Sequence, residues 1–138
     1  TRCASITGAS VALQLAFRKL VEKKVLHKFP MRENVAAVSV GMKDGEILLD
    51  LCYEEDSSAD VDMNVIMTES GKIIEVQGTA EEVPFSRDEL NKMLDTAQHG
   101  LERLFAFQRS ALGTEPQKKR EPHVPLGNIG AALEGLNL

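Results

Sequence analysis

Apolar positions in the first part of the chain recur near the helical period. Val11, Leu15, Ala16, Leu20 and Val21 predict a helix over residues 4 to about 26 with one buried face. Ser5, Gly8, Ala9 and Ser10 in its early turns are small enough to let another backbone come close. Phe29-Pro30 cannot continue it, because proline lacks an amide proton and biases the residue before it to extended geometry. The pattern then turns to strands. Residues 35–42 and 46–52 are apolar, largely β-branched runs separated by Lys43-Asp44-Gly45, whose Asp-Gly step signals a hairpin turn. Residues 61–68 and 72–78 form a second such pair around Glu69-Ser70-Gly71. A second helix starts at Ser86, an N-cap whose capping box is completed by Glu89. Leu90, Leu94, Ala97, Leu101 and Leu104 or Phe105 carry one apolar stripe to about Leu112.

Helix, four strands, helix is the order of an α+β layer, a mostly antiparallel four-stranded sheet with helices on one face. After Leu112 the character changes. Pro116, Pro122 and Pro125 surround Lys118-Lys119-Arg120 with little to bury, so residues 1–112 read as the folded unit and 113–138 as a mobile tail. Residues 129–138 are apolar enough for a short helix on a partner, although chain ends are commonly unstructured.

Composition sets bounds on this picture. The 138 residues fit one domain, and 43% hydrophobic with 27% charged residues is ordinary globular content. Two cysteines do not make a disulfide framework and favour a reducing compartment. No apolar run reaches the ~18 residues of a membrane span, and the first residues lack the basic-then-apolar order of a signal peptide. The chain opens at Thr1 and enters a helical pattern almost at once, so it reads as a piece of something longer. Taken as complete, a net charge of −5 argues against a general nucleic-acid binder.

Two stretches carry candidate chemistry. The first runs Leu49-Asp50-Leu51-Cys52-Tyr53-Glu54-Glu55-Asp56-Ser57-Ser58-Ala59-Asp60-Val61-Asp62-Met63-Asn64. Its carboxylates repel one another, and that repulsion is offset by solvent, protons or cations. It is either a solvated acidic loop or a site for a hard cation such as Mg²⁺. Asp62 and Asn64 share one strand face, so Asp62 has a fixed direction, whereas Asp56 and Asp60 depend on the loop. The second is Thr1-Arg2 at a helix start, where a hydroxyl, a guanidinium and free amides make an anion site. His27, His99 and His123 show no ligand spacing, and Cys3 has no activating partner in sequence.

Together these stretches match one family. Thr1-Arg2-Cys3-Ala4-Ser5-Ile6-Thr7-Gly8-Ala9, Val35-Ala36-Ala37-Val38-Ser39-Val40-Gly41, Leu49 to Asn64 as quoted, Ile74-Glu75-Val76-Gln77-Gly78-Thr79-Ala80-Glu81 and Pro84-Phe85 resemble the C-terminal half of ribonuclease PH. The resemblance implies half of the ribonuclease PH fold, which is ribosomal protein S5 domain 2-like, and a phosphorolytic 3′→5′ exoribonuclease that is also a tRNA nucleotidyltransferase. Inorganic phosphate is then the co-substrate, RNA with tRNA 3′ ends the polymer, and a nucleoside diphosphate the product. It further implies that Thr1 and Arg2 bind phosphate, that Asp56 and Asp62 are the catalytic and metal-binding aspartates, and that the metal is Mg²⁺. Asp62 is the better placed for direct participation and Asp56 for support. Partners implied are the missing N-terminal half of the fold and further copies in a hexameric ring, with no membrane and a cytoplasmic or organellar setting.

Some features depart from the family pattern. The strand and Gly-Gly step that precede the Thr-Arg pair are not in this chain, nor is the N-terminal half with its RNA-contacting arginines. Cys3 stands where the family commonly has Thr. A half-fold without its mate is expected to expose apolar surface and to be inactive by itself. The alternative function is a non-catalytic RNA-binding ring subunit of an exosome-like assembly, although such subunits typically lose the residues retained here as Arg2, Asp56 and Asp62. Under the resemblance the −5 charge marks the acidic half of a larger fold, with basic RNA contacts upstream.

Overall fold

The structure, a computed structural model, describes residues 1–81 and 83–114. Alternation along β3 (Val61–Thr68) decides which way its sheet faces. Val61, Met63, Val65 and Met67 are buried on one side, so Asp62 and Asn64 point to the other. β1 (Val35–Lys43) runs antiparallel to β3 and pairs Val40 with Met63 and Ala36 with Met67, which puts Ala36, Val38, Val40 and Met42 on the same buried face. β2 (Glu46–Leu49) returns along the end of β1. Asp44 and Gly45, at φ of 50° and 79°, form the turn, as the Asp-Gly signal requires. β4 (Ile73–Ala80) pairs with the far side of β3, giving an antiparallel order β2-β1-β3-β4. Both expected hairpins are present. β2 ends at Leu49, short of the expected Cys52, because Asp50 takes a left-handed φ of 59° that turns the chain off the ladder.

The long helix α3 (Arg87–Leu112) covers the buried face through Met93, Ala97, Leu101 and Phe105. It begins in the expected capping box. Ser86 N–H donates to Glu89 Oε2 at 2.6 Å, and Glu89 N–H donates to Ser86 Oγ at 3.2 Å. It ends at Gly113, whose left-handed φ of 62° closes the last turn. Of the segment 113–138 read as a tail, residues 115–138 lie outside the described residues.

The bond from the Ser86 backbone N–H, with help from the Ser86 side chain, holds the Glu89 carboxyl below its ordinary value of 4.5. A depressed carboxylate contributes stability above its unfolded value and loses it as pH falls through the folded one. The first turn of α3 is therefore expected to weaken as pH drops from about 5 toward 3. Glu89→Gln has nothing to titrate and is expected to show a flatter dependence, read as amide exchange at the helix N-terminus across that range.

The first helix, α1 (Arg2–Glu22), sits differently from α3. β2 pairs only with the end of β1, which leaves the Val35 and Ala37 amides on an open edge. Ser10 Oγ accepts from Val35 N–H and Thr7 Oγ1 from Ala37 N–H, both at 3.1 Å. Gln108 of α3 adds Nε2 bonds to Val35 O and Thr7 O, each 2.9 Å. Small polar side chains thus stand in for a fifth strand and satisfy backbone groups that an uncovered edge would leave unpaired. The expected close backbone approach is found at Ser10.

The expected apolar face of α1 is only partly covered, with Val11, Leu20 and Val21 half-buried and Leu15 and Ala16 exposed. Ser10 and Gln14 are its buried residues, while Leu15 is 44% and Leu13 48% exposed. The cause is the surface it meets, a strand edge and a polar network in which Gln14 donates to Asn34, Asn34 to Glu69 at 2.6 Å, and Arg109 to Glu69 at 2.5 Å. Ile73, Ile74 and Val76 on β4 and Phe107 on α3 are also exposed. This is the uncovered apolar surface anticipated for half of a larger fold.

Candidate active site

The sheet face turned away from α3 assembles the candidate residues. Cross-strand register places Ser39, Asn64 and Gln77 in one row and Gly41, Asp62 and Thr79 in the next. Asp62 is half-buried in the middle strand, with its backbone held by neighbours on both sides. Gly41 beside it has a specific role. A Cβ there would lie 2.7 Å from Leu51 Cδ1 and 2.8 Å from the Val61 carbonyl oxygen. Leu51 therefore occupies the space a side chain would take, and Leu51 N–H donates to Ser39 Oγ at 3.1 Å. This brings the chain leaving β2 onto the site face and into α2 (Tyr53–Asp56), one helical turn.

The start of α1 reaches the same face. The Cys3 thiol donates to Asn64 Oδ1 at 2.9 Å, and burial pushes its pKa up, which keeps it in the donor form. The Arg2 guanidinium pairs with Glu75 Oε1 at 2.5 Å and donates to Gln77 Oε1. Asn64 lies two residues from Asp62, a step of about 7 Å along a strand, so the helix start and Asp62 are neighbours. Thr1 is the N-cap, without a side-chain cap bond. The first helical bond is from Ser5 N–H to Thr1 O at 3.0 Å, which leaves the amides before Ser5 for an anion.

Asp56 is placed apart from this row. It closes α2, is exposed, and lines an opening of about 450 Å³ with Ser57, Ser58, Ala59, Asp60 and Glu81. The acidic stretch was expected to be loop, yet Cys52 caps a short helix, and Cys52 N–H donates to Glu55 Oε2 at 2.9 Å. Asp60 is fixed as well: its carboxylate accepts from Asp44 N–H at 2.8 Å and ties down the first hairpin turn. Among the described residues no group of three or more His, Cys, Asp or Glu side chains forms a metal cage. Mg²⁺ seldom needs one, since it takes one or two carboxylates and completes its shell with water and substrate phosphate. Asp62, whose carboxylate has no hydrogen-bond partner among the described residues, fits that chemistry. His27 and His99 are exposed on separate segments, and His123 lies outside the described residues.

Sequence reasoning did not single out Glu75 or Gln77 as partners of Arg2, nor Asn64 as the partner of Cys3. Counting back from Glu69-Ser70-Gly71 would set Val76 opposite Asn64; a register shift between Ile66 and Met67 puts Gln77 there and Glu75 opposite Ile66, and no residue type in the sequence signals it.

The family model described as 3′ exoribonuclease family, domain 2, matches residues 33–100. Ribonuclease PH of Neisseria meningitidis is 59% identical over 112 residues, which are 81% of this chain and 46% of that protein. Ribonuclease PH of Corynebacterium glutamicum is 57% identical over 113 residues, 82% and 46% of the two chains. The chain thus spans about half the length of the curated relatives it matches. Among solved structures, rice Rrp46 matches with a TM-score of 0.54 at 19% identity, over 75% of this chain and 46% of that one. An exosome chain of Archaeoglobus fulgidus, solved with RNA bound to the active site, matches at 0.50 and 17%, over 63% and 35%. At these identities the structural likeness speaks for the fold. With the aligned length and the domain matched, the chain belongs to the ribonuclease PH family and corresponds to its C-terminal half.

Proposed function

We propose that the chain is the phosphate-binding, acidic half of a phosphorolytic 3′→5′ exoribonuclease that trims the 3′ ends of tRNA precursors. The observation that carries this reading is that Arg2, through Glu75 and Gln77, is held on the sheet face that carries Asp62. In the proposed reaction an oxygen of inorganic phosphate attacks the terminal phosphorus of the RNA. The bond from phosphorus to the 3′ oxygen of the preceding nucleotide breaks, and its electron pair stays with that oxygen, which takes up a proton. A nucleoside diphosphate leaves.

Two anions must be brought together, so fixed positive charge has to hold the attacker in line. Arg2 supplies a planar, permanently charged fork, and the Thr1 hydroxyl and open amides of α1 supply neutral donors. Asp62 serves the departing 3′ oxygen, and Asp56 supports it from α2. Mg²⁺, held by Asp62 and Asp56 with substrate oxygens, would neutralise charge on the phosphates. RNA is gripped chiefly by the N-terminal half, and the assembled enzyme is a homo-oligomeric, hexameric ring in the cytoplasm or an organelle. Among the described residues no helix is long and apolar enough to cross a membrane.

The test is reconstitution. The purified 138-residue chain is expected to release no nucleoside diphosphate from a tRNA with a 3′ extension. Fusion behind, or mixing with, the N-terminal half of a ribonuclease PH is expected to restore release that depends on phosphate. Robust phosphorolysis by the chain alone would refute the dependence. RNA binding without release in the completed protein would favour the non-catalytic ring subunit.

A further inference from the structure

Arg2 is held before any phosphate arrives. One Nη2 hydrogen goes to Glu75 Oε1 at 2.5 Å, and one Nη1 hydrogen goes to Gln77 Oε1. A guanidinium has five N–H donors, so Nε–H and one hydrogen on each terminal nitrogen remain. Glu75 and Gln77 project from β4 on the face that carries Asn64 and Asp62, and strand pairing fixes both backbones. An arginine at the first position of a helix, 45% exposed, would otherwise sample many rotamers.

We propose that Glu75, with Gln77, is a positioning residue for the attacking phosphate. It clamps one side of the Arg2 guanidinium to β4 so that the remaining donors face the anion beside Asp62. The inference rests on the phosphorolytic reading above and deepens it. Glu75 itself touches neither phosphate nor RNA; its carboxylate acts through Arg2. An oriented fork binds an anion better than a freely rotating one because the ordering cost is already met. The carboxylate also lowers the net positive charge there, so simple charge attraction alone predicts the opposite sign, tighter phosphate binding once Glu75 is removed.

The experiment uses the chain completed by its N-terminal half and measures KM for phosphate and for RNA separately. Glu75→Ala is expected to raise the phosphate KM about tenfold, the scale of losing one charge-assisted restraint, with the RNA KM unchanged. Glu75→Gln keeps an acceptor oxygen for Arg2 and is expected to stay within about threefold of the unmodified protein. Circular dichroism and ring size monitor folding, and the Gln variant keeps the question answerable if the Ala variant does not fold. An unchanged or lowered phosphate KM in Glu75→Ala, or a parallel rise in the RNA KM, overturns the positioning role while leaving the enzyme reading intact. Absence of phosphate-dependent release from the unmodified completed protein overturns both.

Discussion

Replacing Asp62 by Asn in the completed protein is expected to lower the phosphorolysis rate by about 10²–10⁴-fold, the range over which a positioned acid or base contributes. The substitution keeps the shape of the side chain, so β3 retains its pairing with β1 and β4 and the core beneath is undisturbed. The phosphate KM is expected to change little, because the proposed reading gives binding of the attacker to Arg2 and the start of α1. Raising Mg²⁺ is not expected to rescue the variant. Asp56 has a different setting, at the exposed end of a four-residue helix and outside the row that contains Asp62. Asp56→Asn is expected to cost about tenfold or less and to recover as Mg²⁺ rises, since in the proposed site removing one of two carboxylates would weaken a shared ion without removing it. The measurement is single-turnover release of nucleoside diphosphate across a Mg²⁺ series for both variants. Full activity in Asp62→Asn would sink the assignment of Asp62 to the reacting centre. Equal losses in the two variants would remove the division between them.

The strands were legible because alternation fixes sheet faces. The spacing of Asp62 and Asn64 among Val61, Met63 and Val65 was enough to send the two polar groups to the side away from the core. The capping box at Ser86 and the turn at Asp44-Gly45 were legible for the same kind of reason, each being a local rule satisfied within four residues. The seat of α1 was not legible. Its period of apolar residues is real, but the partner it meets in this chain is an unpaired strand edge, which selects Thr7, Ser10 and Gln14 over Leu13 and Leu15. A helix pattern states which residues share a face and cannot state whether that face meets a core or a backbone. The turn of α2 was hidden for another reason. Cys52 is an unusual N-cap, and a run of Glu54-Glu55-Asp56 looks like loop until the bond from Cys52 N–H back to the Glu55 carboxylate is seen. The pairing of Arg2 with Glu75 joins residues 73 apart in sequence, and only the hairpin register brings them together.

Gly41→Ala is expected to damage the site and the fold together, through one peptide unit. The added methyl would approach Leu51 Cδ1 at 2.7 Å and the Val61 carbonyl oxygen at 2.8 Å. Leu51 can turn aside, but doing so loosens the segment that leads into α2 and Asp56. The Val61 carbonyl cannot turn aside, because it belongs to the peptide that joins Val61 to Asp62 and is pinned within paired β3. Relief therefore means shifting Asp62 itself. Overpacking of this kind costs about 1–3 kcal/mol, and a displacement of about 1 Å at a reacting group is enough for a hundredfold loss of rate. The expected result is a lower urea midpoint and a rate reduced by about 10–100-fold. Unlike Asp62→Asn, this variant is expected to alter the phosphate KM as well, since Asp62, Asn64 and the helix start resting on Asn64 move together. Gly78→Ala is the matched control on the opposite face. Its Cβ would meet Met63 Cε at 2.9 Å, the free end of a flexible side chain, so the cost is expected to stay below about 1 kcal/mol. If Gly41→Ala behaves like that control in both stability and rate, Gly41 is not what sets the distance between β1 and the peptide carrying Asp62.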